Sequence, residues 1–164
     1  MRTSKFLLVD KQGLGEILPD LFKILHSNMT LIAPTNNSYE DDMKIWMTMI
    51  VPAMESESRQ IVRMYVDDEL AGFFQYDIKA DSLMMEQIQI KEEFRGTGLF
   101  SEFYRWLVKQ LPKDIKNVEA YAHKNNFKSQ SVLEHLGLVK MGENKNGISF
   151  YYKGKYADLL KRYS

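Results

Sequence analysis

The sequence of 164 residues contains no cysteine, which excludes disulfides, thiolate nucleophiles and thiolate metal ligands. It also has no excess of either charge, because 22 lysines and arginines balance 22 aspartates and glutamates. No overall field would therefore attract nucleic acid or an anionic membrane. The three histidines, His26, His123 and His135, do not fall at metal-ligand spacings, so we expect no metal site.

Long hydrophobic runs are absent as well. No stretch approaches the length of a membrane span, and the first residues, MRTSKFLLVDKQG, have an apolar segment of only four residues and no cleavage signature. We therefore expect a cytoplasmic protein with no signal peptide and no membrane association. The remaining composition, 45% apolar and 27% charged, is that of a globular protein, and the length predicts one domain over residues 1–164.

The spacing of apolar residues predicts a mixed α+β fold. Three β-like runs, QIVRMYV, ELAGFFQYDI and SLMMEQIQI, are joined by tight connections, which indicates an antiparallel meander. Helical spacing marks residues 13–29, 39–56, 99–111 and 126–137, and a strand at 117–123 and a late hairpin complete the pattern. The predicted order is βααβββαβαββ, followed by a short closing helix.

The second predicted helix carries more apolar surface than one buried face requires. Core packing is the ordinary explanation, because methionine fills irregular gaps well. The alternative is that part of this face lines a hydrophobic substrate groove, and the sequence leaves both open. The apolar residues concerned are Met43, Ile45, Trp46, Met47, Met49, Ile50 and Met54.

Two glycines flank a threonine between the third strand of the meander and the next helix, in the segment EEFRGTGLF (92–100). A helix N-terminus offers unpaired N–H groups and partial positive charge, glycine lets a ligand approach the backbone, and Arg95 adds a forked donor. The segment is therefore suited to a pyrophosphate. Alternatively, Gly96 and Gly98 only form a tight turn. The segment lacks the Lys-Ser or Lys-Thr of a P-loop and the βαβ context of a dinucleotide fingerprint.

Together with a second segment, NNFKSQSVLEHLGLVKMGE, this loop resembles the GNAT superfamily of acyl-CoA-dependent N-acetyltransferases. The family motif R/Q-x-x-G-x-G/A after the fourth strand is matched by Arg95 and Gly98. The motif N-x-x-A/S followed later by Gly-Phe is matched by Asn126, Ser129 and Gly137, with Leu138 in place of Phe. The resemblance is specific over residues 82–143 and implies a mostly antiparallel central sheet, flanked by helices, with splayed strands 4 and 5.

The resemblance also implies how acetyl-CoA would be bound as co-substrate, without a metal. The loop and helix N-terminus would hold the pyrophosphate, through Arg95, Gly96, Thr97, Gly98, Leu99 and Phe100. The main chain of the fourth strand would pair with the pantetheine arm, at Ile88 and Ile90, whose side chains also suit the core. Asn126 would hydrogen-bond the cofactor beside Ser129, while also serving as a helix N-cap.

Two positions depart from the family pattern. Phe100 stands where the family has Gly or Ala, and Leu133 stands where many members have a tyrosine that protonates the departing thiolate. Tyr121 is the candidate acid or orienting group in its place. Glu86 is the candidate base, with a solvent-facing strand carboxylate as the alternative, and Glu119 and His123 are weaker candidates.

We therefore expect an N-acetyltransferase that moves an acetyl group to a primary amine of a small molecule or peptide. The alternative is a domain that binds acyl-CoA as a sensor or partner module without turnover. A purely structural domain would leave the paired motifs unexplained. We expect no nucleic-acid partner, and a homodimer stays open.

Overall fold

The computed structural model describes residues 2–164 and forms seven strands, five α-helices and two short 3-10 helices in that range. The chain clusters into two compact units. The first runs to Gln75 and includes Gln87–Thr97, and the second contains Tyr76–Glu86 and Gly98–Ser164. The single domain over residues 1–164 stays a prediction.

The elements follow the predicted order, with a closing helix. The strands are β1 (Ser4–Leu8), β2 (Arg59–Val66), β3 (Glu69–Lys79), β4 (Ser82–Ile90), β5 (Asn117–His123), β6 (Val139–Glu143) and β7 (Ser149–Lys155). The helices are α1 (Leu14–Met29), α2 (Tyr39–Ala53), α3 (Leu99–Gln110), α4 (Phe127–His135) and α5 (Tyr156–Tyr163), and the 3-10 helices are Lys11–Gly13 and Glu92–Phe94.

The strands form one sheet in the order β1-β2-β3-β4-β5-β7-β6. β1 and β2, β5 and β7, and β6 and β7 pair antiparallel, whereas β4 and β5 pair in parallel. The parallel register runs from Ser82 opposite Asn117 to Met85 opposite Ala120, so it covers only the first four residues of β4. The predicted mixed fold, with adjacent and diverging fourth and fifth strands, is confirmed.

Helix ends form where the sequence provides caps. The Ser38 hydroxyl accepts a hydrogen bond from the Asp41 N–H at 3.2 Å, which caps the start of α2. At the end of α4, Gly137 adopts φ 95°, and the N–H groups of Gly137 and Leu138 bond to the carbonyls of Glu134 and Leu133. This pair of bonds is the Schellman arrangement, which requires a left-handed residue that glycine supplies best.

The core of the first unit is built by the buried faces of α1 and α2 with residues of β2 and β3. Its fully buried members include Leu18, Leu21, Ile61 and Phe73. Gly72 in β3 lies so close to β4 that an added Cβ would stand 2.3 Å from the Gln89 carbonyl oxygen. The two main chains can approach this closely only because residue 72 has no side chain.

The core of the second unit contains several large aromatic residues. Phe103, Tyr104, Tyr152 and Tyr156 are all completely buried. The Tyr104 ring stacks on Tyr163 at 5.2 Å, and its hydroxyl contacts the Met85 sulfur at 3.7 Å. These contacts fix α3 and α5 against the same face of the sheet residues of this unit.

Candidate active site

The loop between β4 and α3 is shaped by its glycines. After the 3-10 turn Glu92–Phe94, Arg95 is extended, and Gly96 and Gly98 adopt φ values of 71° and 85°. The Thr97 hydroxyl donates to the Phe94 carbonyl at 2.7 Å, which closes the turn. Both glycines therefore occupy the left-handed region, where other residues are strained.

The same loop presents a run of unpaired backbone donors. Across residues 2–164, the five successive N–H groups of residues 96–100 form no hydrogen bond. α3 begins at Leu99 without a side-chain cap, and an added Cβ on Gly96 or Gly98 would meet nothing within 4 Å. Unpaired N–H groups at a helix N-terminus carry partial positive charge, so the loop can bind an anion such as a phosphate.

Arg95 lies on the surface, and its guanidinium already has a partner. Its Nη2 atom donates to Asn28 Oδ1 at 2.7 Å. A second arginine, Arg2, donates to the Thr97 carbonyl at 2.7 Å. Sequence reasoning missed Arg2 because 95 residues separate it from the loop. A guanidinium has five N–H donors, so Arg95 keeps donors for a ligand after binding Asn28.

The two residues that follow Gly98 point into the protein. Leu99 is buried at 1% exposure, and the Phe100 ring lies 5.3 Å from the ring of Tyr104 one helical turn later. The Phe100 side chain therefore packs along α3, while its N–H forms no hydrogen bond with any residue that the structure describes. The departure from the family pattern at this position leaves the backbone donor in place.

Asn28 of α1 links the end of β4 to the loop. Its Nδ2 atom donates to Gln89 Oε1 and to the Ile90 carbonyl, both at 3.0 Å. Its Oδ1 atom accepts the hydrogen bond from Arg95 Nη2. Ile90 itself is buried, and Ile88 is half-buried. Asn28 therefore fixes the main chain at the position where the sequence predicted a strand-like contact with pantetheine. No sequence motif marked it.

Asn126 and Ser129 form the start of α4. Asn126 Oδ1 accepts from the Ser129 N–H at 3.1 Å, so the N-cap role is present. The Asn126 side chain is half-buried, and its amide nitrogen has no protein partner within residues 2–164. The predicted second role, donation to a cofactor, thus stays open to that nitrogen.

Glu119 of β5 is held by two hydroxyl donors. Ser82 donates to one carboxylate oxygen, and Tyr151 of β7 donates to the other. Burial alone would raise the pKa of Glu119, but these hydrogen bonds and the charge of Lys153 together lower it below its ordinary value. The pKa of Tyr151 is raised to about 12. Burial is the largest cause of this rise, and the hydrogen bond to the Glu119 carboxylate adds to it.

The parallel pairing of β4 with β5 ends at Met85 and Ala120. Glu86 follows Met85 on β4, and Tyr121 follows Ala120 on β5. Tyr121 is half-exposed, and its ring lies 5.2 Å from the ring of Tyr151, its cross-strand neighbour. Glu86 is half-buried. Both candidates therefore stand where the parallel pairing ends.

Leu133, at the position where many GNAT members have a tyrosine, is buried at 2% exposure. It has no proton to donate. His123 accepts the Asn125 N–H at Nδ1, 3.0 Å away, so this nitrogen serves the turn before α4. Within residues 2–164, no group of three or more histidine, aspartate or glutamate side chains is arranged to hold a metal ion.

The apolar surplus of α2 is divided between two uses. Trp46, Ile50 and Met54 are buried, and Met43 and Met47 pack against the same core. Ile45 and Met49 remain exposed and line a pocket with residues of α1. Among the described residues, no helix has both the length and the apolar character needed to cross a bilayer.

Comparisons with known proteins agree with this geometry. Residues 18–138 match the model of the acetyltransferase (GNAT) family. No curated protein matches the sequence.

Three solved structures illustrate the similarity. The PaiA N-acetyltransferase of Thermoplasma acidophilum, in complex with coenzyme A, is 16% identical with a TM-score of 0.70 over 94% of this chain and 99% of its own. An acetyltransferase of Thermus thermophilus is 17% identical with a TM-score of 0.71, over 93% and 97%. Aminoglycoside acetyltransferase AAC(6')-Ib, also with coenzyme A, is 15% identical with a TM-score of 0.68, over 99% and 100%. At these identities the likeness establishes the fold alone.

Proposed function

Because the chain belongs to the GNAT family of acetyltransferases, we propose that it transfers an acetyl group from acetyl-CoA to a primary amine. The observation that carries this proposal is the run of five N–H groups over residues 96–100, at the N-terminus of α3, that have no partner within residues 2–164. These groups fit a pyrophosphate, whose charged oxygens accept short, strong hydrogen bonds. Coenzyme A in the structures of PaiA and AAC(6')-Ib supports the choice of ligand.

The residues around the loop have separate tasks in this proposal. Gly96 and Gly98 let the pyrophosphate reach the backbone, and Arg95 adds charge beside it. The main chain at Ile88 and Ile90 contacts the pantetheine arm. Asn126, through its unpaired amide nitrogen, holds the cofactor beside Ser129.

The reaction is direct transfer. A neutral amine nitrogen bonds to the acetyl carbon, the carbon–sulfur bond breaks, the amine loses a proton, and the sulfur leaves as a thiolate that takes up a proton. A β4 amide near Ile88 stabilises the charge that develops on the carbonyl oxygen. Glu86 accepts the amine proton, directly or through water, and Tyr121 supplies the proton for sulfur. Holding amine and thioester together supplies much of the rate by orientation alone.

A second function is favoured by one observation. Leu133 fills the tyrosine position with a buried, apolar side chain. A domain without that acid is suited to bind acyl-CoA as a sensor or partner module without turnover.

Two measurements separate these functions. Calorimetry should show that coenzyme A binds far more tightly than pantetheine, which lacks the pyrophosphate. Thiol release from acetyl-CoA over a panel of primary amines should then show turnover. Equal affinities for the two ligands would contradict the pyrophosphate site, and tight binding with no thiol release for any amine would favour the sensor.

A further inference from the structure

The segment before β1 reaches the loop between β4 and α3. Arg2 Nη1 donates a hydrogen bond to the Thr97 carbonyl at 2.7 Å, although 95 residues separate the two along the chain. Both residues belong to the first unit. Thr97 stands between the two loop glycines, so Arg2 contacts the backbone inside the run of N–H groups to which the pyrophosphate is assigned.

The turn between β2 and β3 fixes the backbone next to Arg2. Asp67, at the start of this turn, accepts the Thr3 N–H at Oδ1, 2.8 Å away, and donates its own N–H to the Thr3 carbonyl at 2.9 Å. Ser4 then pairs with Val66 in the ladder of β1 with β2. The main chain that follows Arg2 is therefore held in place, and only the Arg2 side chain has to be ordered to reach the loop.

Contacts within the loop hold the groups on either side of the Thr97–Gly98 peptide. The Thr97 hydroxyl donates to the Phe94 carbonyl at 2.7 Å, and the Gly98 carbonyl accepts the Glu102 N–H at 3.2 Å. The peptide between them can still rotate through ψ of Thr97 and φ of Gly98. Gly98 has φ 85°, and a residue without Cβ populates negative φ about as readily. The bond from Arg2 favours one of these orientations.

The orientation of this peptide determines where the Gly98 N–H points. In a planar trans peptide the C=O and N–H bonds point in opposite directions. A carbonyl held on the side of Arg2 therefore directs the Gly98 N–H to the opposite side, where none of residues 2–164 accepts it. A cationic donor on the carbonyl also polarises the peptide, which makes its N–H a stronger donor.

We propose that Arg2 is a positioning residue for coenzyme A. It fixes the Thr97–Gly98 peptide in the orientation that receives the pyrophosphate, and it acts from the side away from the ligand. The inference rests on the proposed binding of acetyl-CoA at this loop. Without Arg2 the peptide is distributed between two orientations, and the apparent affinity falls with the fraction of molecules in the binding-competent one.

The first experiment measures coenzyme A affinity by calorimetric titration. Arg2→Met removes the charge and the donors but keeps an unbranched side chain, and should raise Kd by about tenfold. Arg2→Lys keeps a charged donor and should restore most of the affinity. Lys5→Met removes a like charge from the same segment, where its partner is Asp68 at 3.7 Å, and should leave Kd unchanged. Pantetheine should bind the variants and the wild type alike. The melting temperature checks that each variant is folded.

Salt separates positioning from simple attraction. If Arg2 acted by attracting the charge of the ligand, its effect would shrink at about 1 M salt, where charges are screened beyond about 3 Å. A bond that selects the peptide orientation is screened much less, because the donor and the carbonyl are in direct contact at 2.7 Å. The ratio of Kd between Arg2→Met and wild type should therefore be similar at about 0.1 M and about 1 M sodium chloride.

A spectroscopic readout observes the peptide without any ligand. Threonine directly precedes glycine only at Thr97–Gly98 in this sequence. Protein labelled isotopically at the threonine carbonyl carbon and the glycine nitrogen therefore gives a single carbonyl–nitrogen correlation by NMR, from this peptide. The signal should be sharp in wild type, Arg2→Lys and Lys5→Met. In Arg2→Met it should be broadened by exchange between two orientations, which relaxation dispersion detects.

A substitution at the β2–β3 turn tests the same support from a distance. Asp67→Gly removes the carboxylate that accepts the Thr3 N–H, and glycine adopts φ 49° without strain. The segment that carries Arg2 is then less ordered, so Kd for coenzyme A should rise by about threefold. Asp67→Asn keeps an acceptor oxygen and should bind coenzyme A like the wild type.

The outcomes separate the inference from the proposed function. A raised Kd in Arg2→Met that persists in high salt, together with a broadened peptide signal, supports the inference. A Kd ratio that falls to about one in high salt, or a sharp signal in Arg2→Met, overturns the positioning role and leaves the pyrophosphate site standing. Equal Kd values in wild type and Arg2→Met, with coenzyme A still preferred over pantetheine, overturn the inference alone. Wild-type protein that binds coenzyme A no more tightly than pantetheine overturns the proposed cofactor site and the role of Arg2 with it.

Discussion

The loop at the start of α3 and the face of β5 differ in what remains unpaired. The loop presents five successive N–H groups, over residues 96–100, that form no hydrogen bond with the described part of the chain, residues 2–164. On β5, both carboxylate oxygens of Glu119 already accept hydrogen bonds, from the hydroxyl groups of Ser82 and Tyr151. The loop is thus ready to bind a ligand through its backbone, whereas the polar groups of β5 hold one another in place.

This difference indicates where affinity and turnover would come from. Backbone donors bind anions without a specific side chain, so a substitution affects them only by changing the backbone path. In the proposed transfer, proton donation from β5 would use Tyr121, because both oxygens of Glu119 already accept hydrogen bonds. Substitutions in the loop and on β5 test this division.

The largest effect is expected for Gly98→Val. The backbone at φ 85° is strained for a β-branched residue, and the new side chain would occupy the space that a pyrophosphate needs. The loss of two or more charge-assisted hydrogen bonds predicts coenzyme A affinity lower by on the order of 10³-fold. Calorimetric titration with coenzyme A measures this affinity.

A matched control for Gly98→Val is Gly147→Val in the loop between β6 and β7. Gly147 has a similar φ of 72°, so the substitution introduces comparable backbone strain far along the chain from the α3 loop. Coenzyme A affinity should stay near the wild-type value. An equal loss in both variants would mean that general destabilisation, and not the loop, explains the result.

Tyr121→Phe should affect turnover and leave binding unchanged. The substitution deletes one half-exposed hydroxyl and keeps the ring contact with Tyr151. If Tyr121 protonates the leaving sulfur, kcat should fall by on the order of 10²-fold, the lower end for general acid–base catalysis. Glu86→Gln should instead alter the pH dependence of kcat/KM. Wild-type rates and pH profiles in both variants would leave catalysis to orientation and the oxyanion contact.

Asn28 offers a test with two readouts. Asn28→Ala removes the donors to Gln89 and Ile90 and the acceptor for Arg95. We therefore expect the free energy of unfolding to fall by about 1–3 kcal/mol. We also expect the KM for acetyl-CoA to rise several-fold. Asn28→Asp keeps an acceptor for Arg95 but loses the donors. It should lose stability while KM stays near wild type. A KM raised equally in both variants would show that Arg95 placement is not what Asn28 contributes.

The smallest effect concerns pH and Tyr151. The folded-state pKa of Tyr151, about 12, lies above the ordinary value of about 10, so its contribution to stability is complete below pH 10 and is lost as the pH rises towards 12. The free energy of unfolding of Tyr151→Phe, measured with denaturant, should therefore fall less than that of the wild type between pH 10 and pH 12. At the acid end, Glu119→Gln should remove the part of the stability loss that occurs as pH falls through the lowered pKa of Glu119. Parallel curves for wild type and Tyr151→Phe would contradict the hydrogen bond.

The fold could be predicted from sequence because its signals are local. Runs of apolar residues mark β2, β3 and β4, Ser38 marks the start of α2, and Gly137 marks the end of α4. Helix ends are harder to predict than helix starts here. The predicted second helix extends to residue 56, but α2 ends at Ala53, directly after Pro52 and before Met54 becomes buried in the core.

The candidate site could be predicted only in part. The loop was found because backbone recognition requires glycine, which is visible in the sequence. Tyr151 and Asn28 were missed, because their partners Glu119 and Arg95 lie 32 and 67 residues away and only the fold brings them together. The apolar surplus of α2 did carry a signal, and the exposed Ile45 and Met49 account for the part that the core does not use.

Gly72 limits which substitutions this sequence can accept during evolution. Any side chain there would meet the Gln89 carbonyl oxygen at 2.3 Å and the Ile90 Cα at 3.1 Å, both of them backbone atoms that cannot rotate aside. Even alanine would push on the strand segment to which the pantetheine contact is assigned. In a saturation-mutagenesis library selected for activity, position 72 should therefore be as intolerant as the motif glycines, although no family motif includes it.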